Sequence, residues 1–347
     1  MQVLFLSIMA KCGVFTHVRD LAVHLQNIGV KPLIGFIHDA NARILFQTSK
    51  SDLDVMEHSL GGIPCFYFES RADLIAKLSD REIQMVHAHS PLVFQHAAFI
   101  KSKLGIPLII TLHGIMDWSR PYSDTLRFAD RVIAIGPEVA ASSGNEFRKK
   151  VRIIFNGIDT EYYKPNENKI TDQTLKLVWI GRTSGSAARG VGCLAASINM
   201  LRKKGIPIEA KIIGNPIGPN LHGLEYHGWI HDPLPILQWS SIAYGRGRSL
   251  REAMSCGNAG FLLAEGYGGL VTSKWFEHGR QPQLSGSLKH GCAELDPIQI
   301  AKDMLYFHKN RESLQAAGVE ARKIAEDYFD IRKMAAETKK LYEEALY

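Results

Sequence analysis

The feature that most constrains this chain is the texture of its apolar segments. Short, continuous apolar runs at 3–8, 33–37, 64–68, 83–88, 107–112, 131–135 and 151–155 are separated by stretches of helical period. A strand that is apolar on successive residues needs cover on both faces. Helices between consecutive strands supply that cover when the strands run parallel. One intervening helix can be read residue by residue: Val18, Leu21, Ala22, Leu25 and Ile28 follow i, i+3, i+4, i+7 spacing, and Gly29 closes it.

The stretch from Thr160 to Thr174, holding Pro165, Asn166, Glu167 and Asn168, has no apolar period and reads as an interdomain linker. The alternation then restarts. Strands are expected at 175–181, 208–214, 224–228, near 241–244 and at 259–263, with helices near 187–203, 233–239 and 247–256. From 296 onward the pattern is mostly helical. The expected fold class is α/β, with two Rossmann-like, doubly wound domains at 1–160 and 161–330. They face a central cleft at the carboxyl ends of both sheets. A length of 347 residues suits two domains and a core large enough to need no disulfide or metal staple.

Composition removes other classes. With 46% hydrophobic and 22% charged residues, the chain is neither disordered, nor collagen, nor a simple coiled coil. No run approaches the roughly 18 apolar residues of a membrane span. Val3 to Ile8 lacks a basic flank and a small-residue cleavage site, so it reads as a buried strand and not a signal peptide. Cys12, Cys65, Cys193, Cys256 and Cys292 are odd in number, scattered and never spaced C-x-x-C. That fits a reducing, cytoplasmic setting and argues against structural zinc. The net charge of +6 is spread along the chain, which argues against a nucleic-acid partner and fits a binder of small anions such as nucleotide phosphates.

Four segments can carry chemistry. The loop Met9 to Val14 brings Gly13 to a helix start, where backbone N–H groups can meet a ligand. It is not G-x-G-x-x-G, which counts against a dinucleotide-dependent oxidoreductase. His87, His89 and His113 stand at the carboxyl ends of expected strands, positioned to donate to a phosphate or a sugar hydroxyl. Zinc on these three lacks a nearby acid or cysteine to complete a set, so no metal is expected. Gly181-Arg182, Ser184-Gly185-Ser186 and Arg189-Gly190 place two guanidinium groups where they can grip a diphosphate. Finally, Tyr244 to Gly257 opens a helix with Gly245 and Gly247. Its first N–H groups, around Gly247, Arg248 and Ser249, form an anion site, and Glu252 lies where it can accept from ribose hydroxyls. The bland alternatives are a plain βα turn, hydrogen-bonded core histidines, a solvated arginine loop and a surface glutamate.

Taken together these segments resemble the retaining GT-B glycosyltransferases of family 4, over essentially the whole chain. Cys12-Gly13, His17-Val18 and Leu21-Ala22 are similar to the family's G-G-x-x-x-H-v-x-x-L-a opening, with Cys12 in place of the first glycine. His87-Ala88-His89 and Thr111-Leu112-His113-Gly114 resemble its H-x-H and T-x-H-G strand ends. Ala129 to Ala134 resembles its a-D-x-v-i-a strand. Phe155-Asn156-Gly157-Ile158-Asp159, with Tyr163 and Pro165, is similar to the N-G-v-D-x-x-x-F-x-P signature that ends the first domain. Arg189-Gly190 stands where the family has K-G, and His227-Gly228-Trp229-Ile230 resembles the strand end that contacts the base. Glu252-Ala253-Met254 with Gly257 matches E-A-M-x-x-G. One departure stands out: Tyr244 occupies the position of the first glutamate of E-x7-E, as in a bacterial subgroup.

The resemblance implies metal-independent transfer from a nucleoside-diphosphate sugar, UDP-sugar or another, with retained anomeric configuration and no cofactor. Arg182 and Arg189 would stabilise the departing β-phosphate. His113 would orient the transferred sugar, and the leaving phosphate would take the acceptor's proton. Gly13, Gly181, Gly228, Trp229, Gly245, Gly247, Arg248, Ser249 and Glu252 would hold the donor. His17, His89, Asp117, Tyr244, Gly268 and Gly269 would touch sugar or acceptor, with Trp118, Arg120 and Tyr122 beside Asp117 in the acceptor pocket. Gly266 to Thr272 matches the family's glycine-rich donor loop. A C-terminal helix, 331–347, would pack back on the first domain. The acceptor would be a saccharide, a lipid-linked molecule or a small molecule, with at most weak peripheral membrane association. Three other readings stay open: a metal-dependent GT-A enzyme using Asp52 and Asp54, a GT-B epimerase, and a nucleotide-sugar-binding protein without transferase activity.

Overall fold

A computed structural model describes residues 1–167, 172–214 and 224–346. Asn168, expected in the linker, lies outside the described residues. Backbone proximity divides the chain into two units, Met1–Gly157 with Ile331–Tyr347, and Ile158–Asp330.

The first unit carries strands β1 (Gln2–Ile8), β2 (Lys31–Ile37), β3 (Cys65–Phe68), β4 (Met85–Ala88), β5 (Leu108–Leu112), β6 (Arg131–Ala134) and β7 (Val151–Ile153). All pair in parallel, in the order β3-β2-β1-β4-β5-β6-β7. Its helices are α1 (Gly13–Asn27), α2 (Ala40–Leu45), α3 (Lys50–His58), α4 (Arg71–Ala76), α5 (Pro91–Leu104), α6 (Ser123–Phe128) and α7 (Pro137–Ser142).

The second unit carries β8 (Leu175–Ile180), β9 (Ile208–Ile213), β10 (Glu225–Tyr226), β11 (Ile242–Gly245), β12 (Ala259–Leu263) and β13 (Tyr267–Leu270). The order is β10-β9-β8-β11-β12-β13, with only the last pair antiparallel. Its helices are α8 (Ser186–Arg202), α9 (Leu234–Trp239), α10 (Gly247–Ser255), α11 (Pro297–Lys309) and α12 (Arg311–Tyr328). The last helix of the chain, α13 (Ile331–Leu346), belongs to the first unit.

The continuous apolar runs do what two-sided burial requires. Val3 and Phe5 of β1 enter one core with Val18, Leu21 and Leu25 of α1, whereas Leu4 and Leu6 enter a second core with Phe94 and Ala97 of α5. Each fully buried Leu or Phe contributes about 1.5–3 kcal/mol of transfer free energy. Ile331, Met334, Leu341 and Tyr342 of α13 complete the first of these cores and pack on α1. α5 starts where Ser90 accepts a hydrogen bond from the Leu92 N–H and Pro91 supplies a preset φ. Asp52 and Asp54 lie on α3, where Asp52 completes a capping box with Ser49 and pairs with Lys11 at 2.9 Å.

Segment 266–272, expected as a donor loop, instead contains an edge strand. Gly268 and Gly269 lie in β13, which pairs with β12 across a bulge. Glycine density alone does not show that the neighbouring Tyr267 and Leu270 are held by strand pairing.

Candidate active site

In the first domain the chain order reverses between β1 and β4. An open α/β sheet binds ligands at such a point, beyond the carboxyl ends of its strands. His87 lies in β4, His89 follows the end of β4, His113 follows the end of β5, and His17 sits in the second turn of α1. The structure brings all four rings together. His87 and His89 have centroids 3.9 Å apart, and His17 meets His113 edge-on at 4.6 Å. Nδ1 of His89 is 3.3 Å from Nε2 of His113.

These rings divide into structural and available ones. His87 is fully buried, with Nδ1 2.6 Å from the Tyr342 hydroxyl and Nε2 2.7 Å from the Thr111 hydroxyl. It is therefore a core histidine that ties α13 to the sheet. Nδ1 of His17 lies 3.0 Å from Oδ1 of Asn156. An amide oxygen only accepts, so this ring carries its proton on Nδ1. His113 is half-buried, whereas His17 and His89 are buried. Nε2 of His89 is buried without a hydrogen-bond partner among the described residues, a cost of about 1–3 kcal/mol.

Burial pushes His87, His89 and His113 well below the usual imidazole range, and the neighbouring imidazoles push the same way. These three rings thus favour the neutral form. Beside it, α1 begins at Gly13 after an extended Cys12, with no side-chain cap and no acid in its first turn. That leaves the positive end of the helix dipole uncompensated by side chains.

The segment after His113 corrects part of the expected acceptor pocket. Trp118 is a core residue, packed on Phe94 and Tyr122, with its indole N–H donated to the Gly114 carbonyl. Asp117 is exposed and closes a local turn, accepting from the Ser119 hydroxyl and the Arg120 N–H. Arg120 is exposed as well.

In the second domain the order reverses between β8 and β11. Gly181-Arg182 follows β8, and Gly245 ends β11 one residue before α10 begins at Gly247. Arg182 is exposed. Arg246 also reaches solvent, yet the walls around it and the nearby Arg182 guanidinium both lower its pKa, against a partial offset from Glu265. Two guanidinium groups thus stand near one another at the switch point. Arg246 caps α10 in an extended conformation, no side chain caps the helix, and its first turn holds no acid. Gly247 adopts φ +58°, a left-handed conformation that costs a side-chain-bearing residue and lets the helix begin there.

Glu252 and Arg248 sit one turn apart on α10. Nε of Arg248 donates to Oε1 of Glu252 at 2.8 Å, and both side chains are largely buried. Ser249 is half-buried in the same first turn. Arg189 lies in the first turn of α8, exposed, 3.9 Å from Glu294 in a loose ion pair. The following Gly190 has a packing reason: a Cβ there would stand 2.2 Å from the Ala264 carbonyl oxygen. Trp229 is exposed beside Gly228 and meets His231 edge-on at 4.4 Å.

Tyr244 departs most from expectation. Its motif position suggests a contact with sugar, but it is fully buried and stacked on Phe261 at 5.1 Å. Its hydroxyl has no hydrogen-bond partner among the described residues, and burial with the nearby Asp303 pushes its pKa well up. Its side chain turns from β11 into the core of the second unit. One residue gains a role the motifs did not give it: Asn156, which sets the His17 ring.

Residues 12–162 match the family model described as Glycosyltransferase Family 4. Within the first domain this chain is therefore similar to the family 4 glycosyltransferases. Solved structures share the fold of the whole chain. HepE from Anabaena, in complex with UDP and glucose, superposes with a TM-score of 0.69 at 16% identity, covering 99% of this chain and 100% of its own. A glycosyltransferase from Rickettsia africae gives 0.74 at 14% identity, covering 99% and 98%. Sucrose-phosphate synthase from Thermosynechococcus elongatus gives 0.68 at 14% identity with the same coverages. The chain thus has the two-domain GT-B fold. No curated protein matches its sequence. No helix among the described residues is long and apolar enough to cross a membrane.

Proposed function

We propose that this glycosyltransferase moves a sugar from a nucleoside-diphosphate sugar to an acceptor hydroxyl, with retention and without a catalytic metal. The observation that carries the reading is the cationic end of the second sheet. Arg182 and Arg246 stand near one another beside the start of α10, which no side chain caps. Neighbouring guanidinium groups at the positive end of a helix are what a diphosphate selects. HepE, solved with UDP and glucose, supports the same class of donor.

In this account the glycosidic C1–O bond to the β-phosphate breaks as the acceptor oxygen attacks the same face. The leaving phosphate takes the acceptor's proton. Arg182, with Arg246 and the α10 N-terminus, stabilises the charge that develops on the diphosphate. Arg189, exposed and loosely paired with Glu294, contributes long-range charge. Glu252 accepts from the ribose, and the neutral His113 orients the transferred sugar by a hydrogen bond. The retained charge state of that imidazole suits hydrogen bonding better than proton abstraction.

The test is release of free nucleoside diphosphate from a panel of nucleotide sugars, with and without saccharide acceptors, in EDTA. Acceptor-dependent release with an α-linked product from an α-linked donor is expected. Turnover without acceptor would indicate an epimerase, and binding without any turnover a sugar-nucleotide-binding protein. Loss of activity in EDTA, restored by manganese, would overturn the metal-free reading.

A further inference from the structure

We propose that His17, His89 and His113 form a binding site for one divalent transition-metal ion of the zinc class. Each offers a ring nitrogen, and the three nitrogens all lie within 4.8 Å of one another. Nδ1 of His89 and Nε2 of His113 are already 3.3 Å apart. Zinc–nitrogen bonds of about 2.0–2.1 Å in a tetrahedron place two ligand nitrogens about 3.4 Å apart. A ring adjustment of roughly an ångström brings the third donor to the same ion.

The surroundings fit such a site. Imidazole nitrogen is the commonest zinc donor, and His17 and His89 are buried, with His113 beside them at the edge of the cluster. The Asn156 carboxamide fixes the proton of His17 on Nδ1, leaving Nε2 as its lone-pair nitrogen. That is how an outer residue orients a metal-ligating imidazole. Half-exposed His113 gives an entry path from solvent. Three protein nitrogens leave a fourth position for water or an anion.

The site overlaps the ring given above the task of orienting the sugar. Resting on that reading, zinc acts as an antagonist of transfer, because a metal-bound His113 nitrogen has no free donor or lone pair for a hydroxyl. Binding itself does not depend on the transferase reading, so it is tested in the absence of nucleotide and sugar.

The experiment is titration of the metal-free full chain with Zn²⁺ against a competing chromophoric chelator, with Co²⁺ as a spectroscopic substitute. The expected result is one equivalent of tightly held Zn²⁺ per chain and intense visible Co²⁺ bands of a four-coordinate nitrogen site. His113→Gln and His17→Gln should each weaken zinc binding at least about a hundredfold, the upper range for loss of a ligand-shell member. His58→Gln, at an exposed site on α3, should leave it unchanged. Absence of a stoichiometric site in the wild-type chain, a six-coordinate Co²⁺ spectrum, or undiminished binding by both cluster variants would each overturn the proposal. The cobalt spectrum of the wild-type chain decides the matter even if a variant fails to fold.

Discussion

The two domains share a topology and differ in what they place at its switch point. The first gathers four imidazoles at the ends of β4 and β5 and the start of α1, mostly buried, and desolvation lowers the pKa of His87, His89 and His113. The second puts Arg182 and Arg246 beyond β8 and β11, in reach of solvent and beside a helix start that no side chain caps. A neutral, low-dielectric cluster suits directional hydrogen bonds to hydroxyls or coordination of a metal. An open cationic one suits a diphosphate. The contrast teaches that the doubly wound sheet supplies only the place, while a handful of side chains supplies the chemistry.

The largest effect should come from breaking the cationic half. Combined Arg182→Ala and Arg246→Ala should lower the rate of sugar transfer by about 10²–10³, the scale of lost transition-state donors. Steady-state kinetics with an active donor checks this, and His113→Gln should lower the rate less. Next comes the buried half. Tyr342→Phe removes the hydroxyl on Nδ1 of His87 and should destabilise the chain by about 1–3 kcal/mol in urea unfolding, with nucleotide affinity unchanged.

Glu252→Ala should weaken nucleoside-diphosphate binding by about tenfold in calorimetry, on the scale of one charged hydrogen bond lost. It also strips Arg248 of its 2.8 Å partner. Glu252→Gln should cost less, because it keeps an oxygen acceptor.

The smallest effect concerns Asp52, whose role is local structure. Burial raises its pKa, but hydrogen bonds from Ser49 and Lys11 outweigh that and hold it at about 2, below the usual 3.8. A carboxyl with a depressed folded-state pKa stabilises above its unfolded value. That stability is lost as pH falls from about 3.8 towards 2. Asp52→Asn should therefore remove about 1 kcal/mol at neutral pH, after discounting for solvent screening. Its unfolding free energy should converge on that of the wild type near pH 2, with donor affinity unaffected.

The fold was legible because two-sided burial leaves a local trace. Val3–Ile8, Ile109–Leu112 and Leu175–Ile180 are apolar on consecutive residues, and only a covered parallel sheet uses such runs throughout. The places of His89, His113, Arg182 and Gly247 followed from counting to the ends of those runs. What escaped was set by partners far along the chain. Tyr244 reads like a motif residue, and only its stacking on Phe261 shows that it faces the core. Trp118 reads like a pocket aromatic, and only Phe94 and the Gly114 carbonyl claim it. Gly268 and Gly269 read like a loop, and only β12 makes them a strand. The proximity of His17 to His89 and His113, and of Arg182 to Arg246, likewise arises from strand order, which no local pattern encodes.

The most direct measurement is calorimetric titration of a nucleoside diphosphate into three proteins: wild type, the Arg182→Ala/Arg246→Ala variant and His113→Gln. The account predicts that the arginine variant loses at least about tenfold in affinity while His113→Gln binds like the wild type, since one lost charge-assisted contact is worth about 1.5–3 kcal/mol. Undiminished binding by the arginine variant, or a larger loss in His113→Gln, would contradict it.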